Sequence, residues 1–372
     1  MGRSRAALAL GVCVVGAFAV LLSGPAVRAG AKSRAKSDAA VGIEVSGSHL
    51  TPLGGGPPIR LLGVDRSGTE YQCLNSRAKS VFFGPTNAAS IRAIKSWHTN
   101  AVRIPLNEDC WLGINGATPA LSGSHYRSAI EKYVSALRAA GFYVILDLHW
   151  AAPGAILAVQ EWPMADATHA PAFWRSVAQA FKGNRAVLFD LFNEPFVTSW
   201  SCWQSGCTTT FTDNTGDVVT YQTAGMQQLV DAVRSTGAAN PIILGGLGYA
   251  SDETQWATHE PTDPDNQLIV GFHTYSFGGC NNEACWDSTI SPLAQTTPVV
   301  TTEFGESGCT DNYALSYMDW ADTNDVSYLG WAWDATDNGW SCSAGPSLIV
   351  NYAGKPTGYG AGLKSHLAAL AG

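Results

Sequence analysis

Two glutamates stand out for where they fall in the chain. Glu194 follows Asn193 and precedes Pro195 at the end of the apolar run Ala186–Phe192, and Glu303 closes a second apolar run, Pro298–Phe304. A continuous apolar run suits a strand covered on both faces. Pro195, which has no N–H to donate, should end the first of them. Two carboxylic acids carried on strand ends and facing each other across a pocket suit cleavage of a glycosidic bond. One stays protonated and helps the leaving oxygen depart; the other is ionised and attacks the sugar carbon. Their surroundings must then hold the two pKa values apart. Arg103 beside one acid would keep it anionic, and the Tyr275 phenol could donate a hydrogen bond to the same carboxylate. Asn193 could bind the sugar 2-hydroxyl, and Trp333 offers a flat apolar face to a sugar ring. Each residue alone has a plainer reading: His149 as a hydrogen-bonded core histidine, Trp333 as core, Arg103 as half of a buried ion pair.

The elements that must position these residues alternate along the chain. Apolar runs predict strands at Ile59–Val64, Ala101–Leu106, Tyr143–His149, Ala186–Phe192, Pro241–Leu247, Leu268–Tyr275, Pro298–Phe304 and Tyr328–Trp333. Helical patterns lie between several of them. Tyr126–Ala140 carries Tyr126, Ile130, Tyr133, Val134 and Leu137 on one face and stops at Gly141. Pro171–Lys182 opens on proline. Thr220–Ser235 and Gly362–Ala371 read as helices too. Ahead of the first strand, Val41–Leu50 alternates and reads as half of a β-hairpin with Ile59–Val64, joined through Pro52 and Gly54–Gly56 and placed to cap the bottom of a barrel. Strand–helix alternation of this kind predicts a (β/α)8 TIM barrel. The rival, a doubly wound open sheet, lacks support because no GxGxxG or P-loop follows the first strand.

In a closed barrel the C-terminal strand ends carry the chemistry. Here they hold Asp65, Arg103 with Asn107-Glu108-Asp109, His149-Trp150, Asn193-Glu194, His273 and Tyr275, Glu303, and Trp331 with Trp333. With those positions in view the chain resembles the family 5 glycoside hydrolases of the cellulase type, in the clan of (β/α)8 retaining glycosidases. The resemblance rests on Arg103 in AVRIPL, His149 in ILDLHW, Asn193-Glu194-Pro195 in LFNEP, His273 and Tyr275 in FHTY, Glu303 in TTEFG and Trp333 in WAWD. It implies Glu194 as general acid/base and Glu303 as nucleophile. Arg103, His149, Asn193, His273, Tyr275 and Trp333 would line the subsite next to the scissile bond. Net retention follows, with the carboxyl groups ~5–5.5 Å apart, and no metal or organic cofactor. The expected substrate is a β-glucan or a related β-glycan such as mannan. Exo-action, or a non-catalytic carbohydrate-binding protein on a glycosidase scaffold, is the alternative.

Residues 1–29 read as an export signal: Arg3 and Arg5, the apolar run Ala6–Leu22, then Pro25 and the small-residue end Val27–Ala29. An uncleaved anchor is the competing reading. Residues 30–40 are small and polar, a disordered linker, and 41–372 form one catalytic domain. Loss of the three arginines in 1–29 takes the formal charge from −8 to −11. That acidic balance, without basic runs, argues against nucleic acid. The expected state is a secreted, extracellular monomer with an oligo- or polysaccharide as partner and no stable membrane association. Of nine cysteines one lies in the signal run. An even remainder in an exported chain suggests disulfides, with Cys202/Cys207 and Cys280/Cys285 as close pairs and Cys73/Cys110 and Cys309/Cys342 as the others. These would pin loops at the catalytic face. No CxxC or HExxH spacing marks a zinc site. The inserts 198–217 and 276–288 carry Trp200, Trp203 and Trp286 and should flank the cleft.

Overall fold

The computed structural model describes residues 39–335 and 345–372. The expected signal 1–29, all but the end of the expected linker 30–40, and Cys342 lie outside the described residues. Ala40, the last linker residue, is buried and its N–H donates to the Arg138 carbonyl.

In chain order the strands up to Gly330 are β1 (Ile43–Ser46), β2 (His49–Pro52), β3 (Leu62–Asp65), β4 (Ala101–Asn107), β5 (Tyr143–Trp150), β6 (Val187–Asp190), β7 (Thr208–Thr212), β8 (Val218–Gln222), β9 (Ile242–Gly245), β10 (Leu268–Tyr275), β11 (Val299–Gly305) and β12 (Ser327–Gly330). Eight of them, β3, β4, β5, β6, β9, β10, β11 and β12, close into a parallel barrel. These are the eight predicted runs. Helices Ser124–Ala139, Ala170–Phe181, Met226–Arg234, Asn312–Thr323 and Gly358–Ala371 bury one face each.

Period-2 alternation sorts the barrel interior into levels. At the bottom, Leu61, Ala101, Tyr143, Ile145, Ala186, Leu188, Ile243, Ile269, Val300 and Leu329 form one apolar cluster. Ile43 and Leu50 from the β1–β2 hairpin join it, so the hairpin plugs the bottom. Burying each of those two contributes ~1.5–3 kcal/mol. Two residues further along the strands the inward positions turn polar: Arg103 follows Ala101, Asp147 follows Ile145, and Asp190 follows Leu188.

The hairpin is not the one expected. Gly47, at φ 60°, makes the turn directly between β1 and β2. The 59–64 segment pairs with it only at the Leu50–Ile59 bridge. Thr220–Ser235 is likewise only partly helical. The helix starts at Met226, and Thr220–Gln222 belong to the β7–β8 hairpin. The consecutive β-branched residues Thr208–Thr210 and Val218–Thr220 favour a pleated ribbon. Three expected disulfides are present, Cys73–Cys110, Cys202–Cys207 and Cys280–Cys285.

Candidate active site

Arg103 is the structural centre of the site. It projects from β4 into the barrel with no exposed surface. Its guanidinium reaches Asp65 Oδ1 at 3.1 Å, Asp147 Oδ2 at 3.1 Å, Asp190 Oδ2 at 2.9 Å and Glu303 Oε1 at 2.6 Å. It also donates to Asn193 Oδ1 at 2.8 Å. The planar fork of guanidinium donors suits such convergence. Arg103 does not line the cleft; it bonds Glu303 and Asn193, which do. Asp147 and Asp190 escaped the sequence reading. Their signal was there, in the same inward phase as Arg103, two positions past the apolar floor.

Glu303 reaches the cleft through a break in the strand pattern. In the β10–β11 register Phe272 pairs with Thr301 and the next residue, His273, pairs with Glu303. Thr302 is the extra residue of a bulge. Thr301 Oγ1 meets the Tyr317 hydroxyl, whereas Thr302 Oγ1 meets His273 Nε2 at 3.0 Å. A bulge re-aims the side chain that follows it, and here Thr302 and Glu303 both serve the interior. The second Glu303 oxygen accepts from the Tyr275 hydroxyl at 2.5 Å. Glu194 lies past β6, which stops at Asp190 rather than Phe192. His273 Nδ1 sits 2.9 Å from Glu194 Oε1. Facing atoms of Glu194, His273 and Glu303 all lie within 4.8 Å of one another.

The two glutamates are held in opposite states. Burial pushes Glu194 up to about 8, and the charge of Glu303 adds to it. Burial alone would raise Glu303 too. His273, Arg103 and His149, with the Tyr275 hydrogen bond, outweigh it and hold Glu303 below the ordinary carboxyl range. Burial depresses His273 itself, so Arg103 is the permanent charge among these. His149 bonds Asp147 Oδ2 at 2.7 Å. Burial opposes its charge, but Asp147, with Glu70 and Glu303 behind it, lifts it to about 10.

The glutamates open into a cavity of about 570 Å³ lined by His149, Glu161, Asn193, Tyr249, His273, Tyr275, Phe277 and Trp331 among others. A neighbouring cavity of about 420 Å³ shares His149, Glu161 and Trp331 and extends to Tyr71 and Trp150. Trp333 is not part of either. It is fully buried, edge-on against Trp97 with ring centroids 4.8 Å apart. The last barrel strand ends at Gly330, before the predicted Trp333, so the alternation does not carry through. Trp331 takes the cleft position and stacks on His149 at 5.3 Å. Glu161 was missed altogether. It comes from the loop after β5, accepts from Asn193 Nδ2 at 3.2 Å, and is raised to about 8 by burial and by Glu194. A single loop acid carries no periodic signal. Of the two inserts, 276–288 reaches the cleft through Phe277, Gly278 and Gly279. Trp200, Trp203 and Trp286 are buried core instead. Glu306 accepts the N–H groups of Tyr313 and Ala314 at the start of a helix.

A closed parallel barrel with paired carboxyl groups at its C-terminal rim is the architecture of the barrel glycosidases. The chain belongs to the cellulase family, glycosyl hydrolase family 5, whose family model matches residues 64–337. It is 28% identical over 244 residues to the manganese dependent endoglucanase Eg5A of Phanerodontia chrysosporium, covering 61% of this chain and 56% of that protein. It is 20% identical over 307 residues to endoglucanase E-5 of Thermobifida fusca, covering 80% and 56%. The chain thus spans little more than half the length of these curated relatives. Among solved structures, the β-glucanase SdGluc5_26A of Saccharophagus degradans in complex with cellotetraose superposes with a TM-score of 0.66 at 18% identity, covering 89% of this chain and 94% of that one. At that identity the likeness concerns the fold.

Proposed function

We propose that the protein hydrolyses the β-glycosidic bonds of a β-glucan by double displacement. The observation that carries this is the opposed state of two carboxyl groups whose facing oxygens lie within 4.8 Å, Glu194 raised to about 8 and Glu303 lowered. Glu303, ionised and held by Arg103 and Tyr275, attacks the anomeric carbon. Glu194 gives its proton to the departing oxygen. In the second half Glu194 takes a proton from water, which releases the sugar with its starting configuration. His273 suits this alternation. A neutral imidazole donates from one ring nitrogen and accepts at the other. It can therefore bridge Glu194 and Thr302 whether Glu194 holds its proton or not.

Asn193, fixed by Arg103, is placed to meet the sugar 2-hydroxyl. Trp331 is the apolar platform. Two lobes, one reaching Tyr71 and Trp150 and the other Tyr249 and Phe277, provide for sugar units beyond the reacting one, which favours attack within a chain. The signal-like N-terminus and the disulfides favour export. The test is stereochemical. Proton NMR of the first product from a soluble β-glucan oligosaccharide should show the β-anomer ahead of mutarotation. An initial α-anomer would refute double displacement.

A further inference from the structure

Away from the catalytic cleft, three side chains converge without an adequate counter-charge. Glu108 opens the short helix after β4, while Asp166 and His169 come from the loop between β5 and the Ala170–Phe181 helix. One ligand-type atom from each lies within 4.8 Å of the others. His169 Nδ1 is 4.0 Å from Glu108 Oε1 and 3.8 Å from Asp166 Oδ1. Those separations are too long for hydrogen bonds. They match donors sharing one ion, each at ~2.1 Å from it and hence ~3–4 Å from one another.

The carboxyl groups are held for such a role. Glu108 and Asp166 are almost wholly buried, at 0% and 1% exposure. One oxygen of each is fixed by backbone: Ala152 N–H donates to Glu108 Oε1 at 3.4 Å, and the N–H groups of Thr168 and His169 donate to Asp166 Oδ1 at 2.8 Å. Glu108 Oε2, Asp166 Oδ2 and His169 Nδ1 have no hydrogen-bond partner among the described residues. Two adjacent carboxylates in a dry site are costly unless a cation joins them or one keeps a proton.

We propose that Glu108, Asp166 and His169 bind a divalent cation of the Mn²⁺ or Zn²⁺ kind, which fastens the 151–169 loop to the barrel wall. The donor set selects the class. Mg²⁺ and Ca²⁺ prefer oxygen throughout, whereas an imidazole beside two carboxylates suits a transition metal. Sequence spacing gave no hint, because the ligands come from two distant segments and form no compact motif. The loop is already tied at two points nearby: Ala158 N–H to Asp109 Oδ2 and the Asn107 amide to Ala158 O, both at 2.8 Å. It carries Glu161 into the cleft. None of the three ligands lines the cleft, so the proposal stands or falls apart from the catalytic reading.

The experiment uses the purified protein stripped with EDTA and dialysed. MnCl₂, ZnCl₂, CaCl₂ and MgCl₂ are titrated separately by calorimetry, with thermal melts alongside. Mn²⁺ or Zn²⁺ should bind at one per chain. At a hundredfold excess over Kd it should raise Tm by about 5 °C. His169→Ala should lose both responses while folding normally, since its ring is part exposed. Glu108→Gln should lose them too, yet melt no lower than the stripped protein, because its amide can donate to Asp166. Glu303→Gln should retain both responses, which separates this site from the Glu194–His273–Glu303 group. Absence of stoichiometric Mn²⁺ or Zn²⁺ binding would overturn the proposal and leave a proton shared by Glu108 and Asp166. Binding that survives in His169→Ala, or vanishes in Glu303→Gln, would overturn it equally.

Discussion

Two acidic groups sit on the C-terminal side of the barrel, and only one of them is built around an arginine. At the cleft, Arg103 touches Asp65, Asp147, Asp190 and Glu303, and His149 adds charge from the side. Behind the β5 loop, Glu108 and Asp166 have His169 alone as ion-pair partner among the described residues. The same residue type is therefore driven in opposite directions. Glu303 is held ionised; Glu108 is pushed towards its neutral form. Burial is common to both. A fixed cation decides which acid can serve as a nucleophile and which needs a proton or a metal.

The contrast can be broken most severely at Glu303. Glu303→Gln should cut kcat/KM for a β-glucan on the order of 10⁴-fold or more, with Tm and ligand binding little changed. Removing the central cation comes next. Arg103→Ala leaves several buried acids facing one another and should cost about 3–5 kcal/mol of stability, read by urea unfolding. Arg103→Lys should recover only part of that, because an ammonium cannot span so many oxygens. On the acid/base side, Glu194→Gln should lower turnover of natural glucans ~10²–10⁴-fold. The loss should be smaller for aryl glycosides, whose leaving groups need little protonation.

A gentler probe is pH. The proposed double displacement needs Glu194 protonated and Glu303 ionised. The carboxyl raised to about 8 sets the alkaline limb, so kcat/KM should fall as pH rises through about 8. The lowered Glu303 places the acidic limb below the usual carboxyl range. An alkaline limb near pH 5 would mean that burial and the Glu303 charge do not act on Glu194 as described.

The eight strands were legible because each is an apolar run long enough to cross the barrel. Arg103, His149, Asn193, Glu194, His273, Tyr275 and Glu303 gather at one site because the barrel collects strand ends. What the sequence hid was phase. The last strand stops at Gly330, so Trp331 rather than Trp333 faces the cleft. Trp331→Ala should therefore raise KM with little loss of stability. Trp333→Ala, deep against Trp97, should cost ~3–5 kcal/mol with a smaller effect on KM. The bulge at Thr302 was equally invisible, since register is set by two strands and not by one. Glu161 and the Glu108–Asp166–His169 group depend on loop contacts that no periodicity encodes.

The central claim is that Glu303 is the attacking carboxylate, kept ionised by Arg103 and Tyr275. A 2-deoxy-2-fluoro β-cellobioside with a good leaving group tests it most directly, because the fluorine slows release of the glycosyl-enzyme. Intact-mass and peptide spectrometry should find one fluorocellobiosyl group per chain, attached to Glu303. Attachment to another residue, or steady turnover with no adduct and an inverted product, would contradict it.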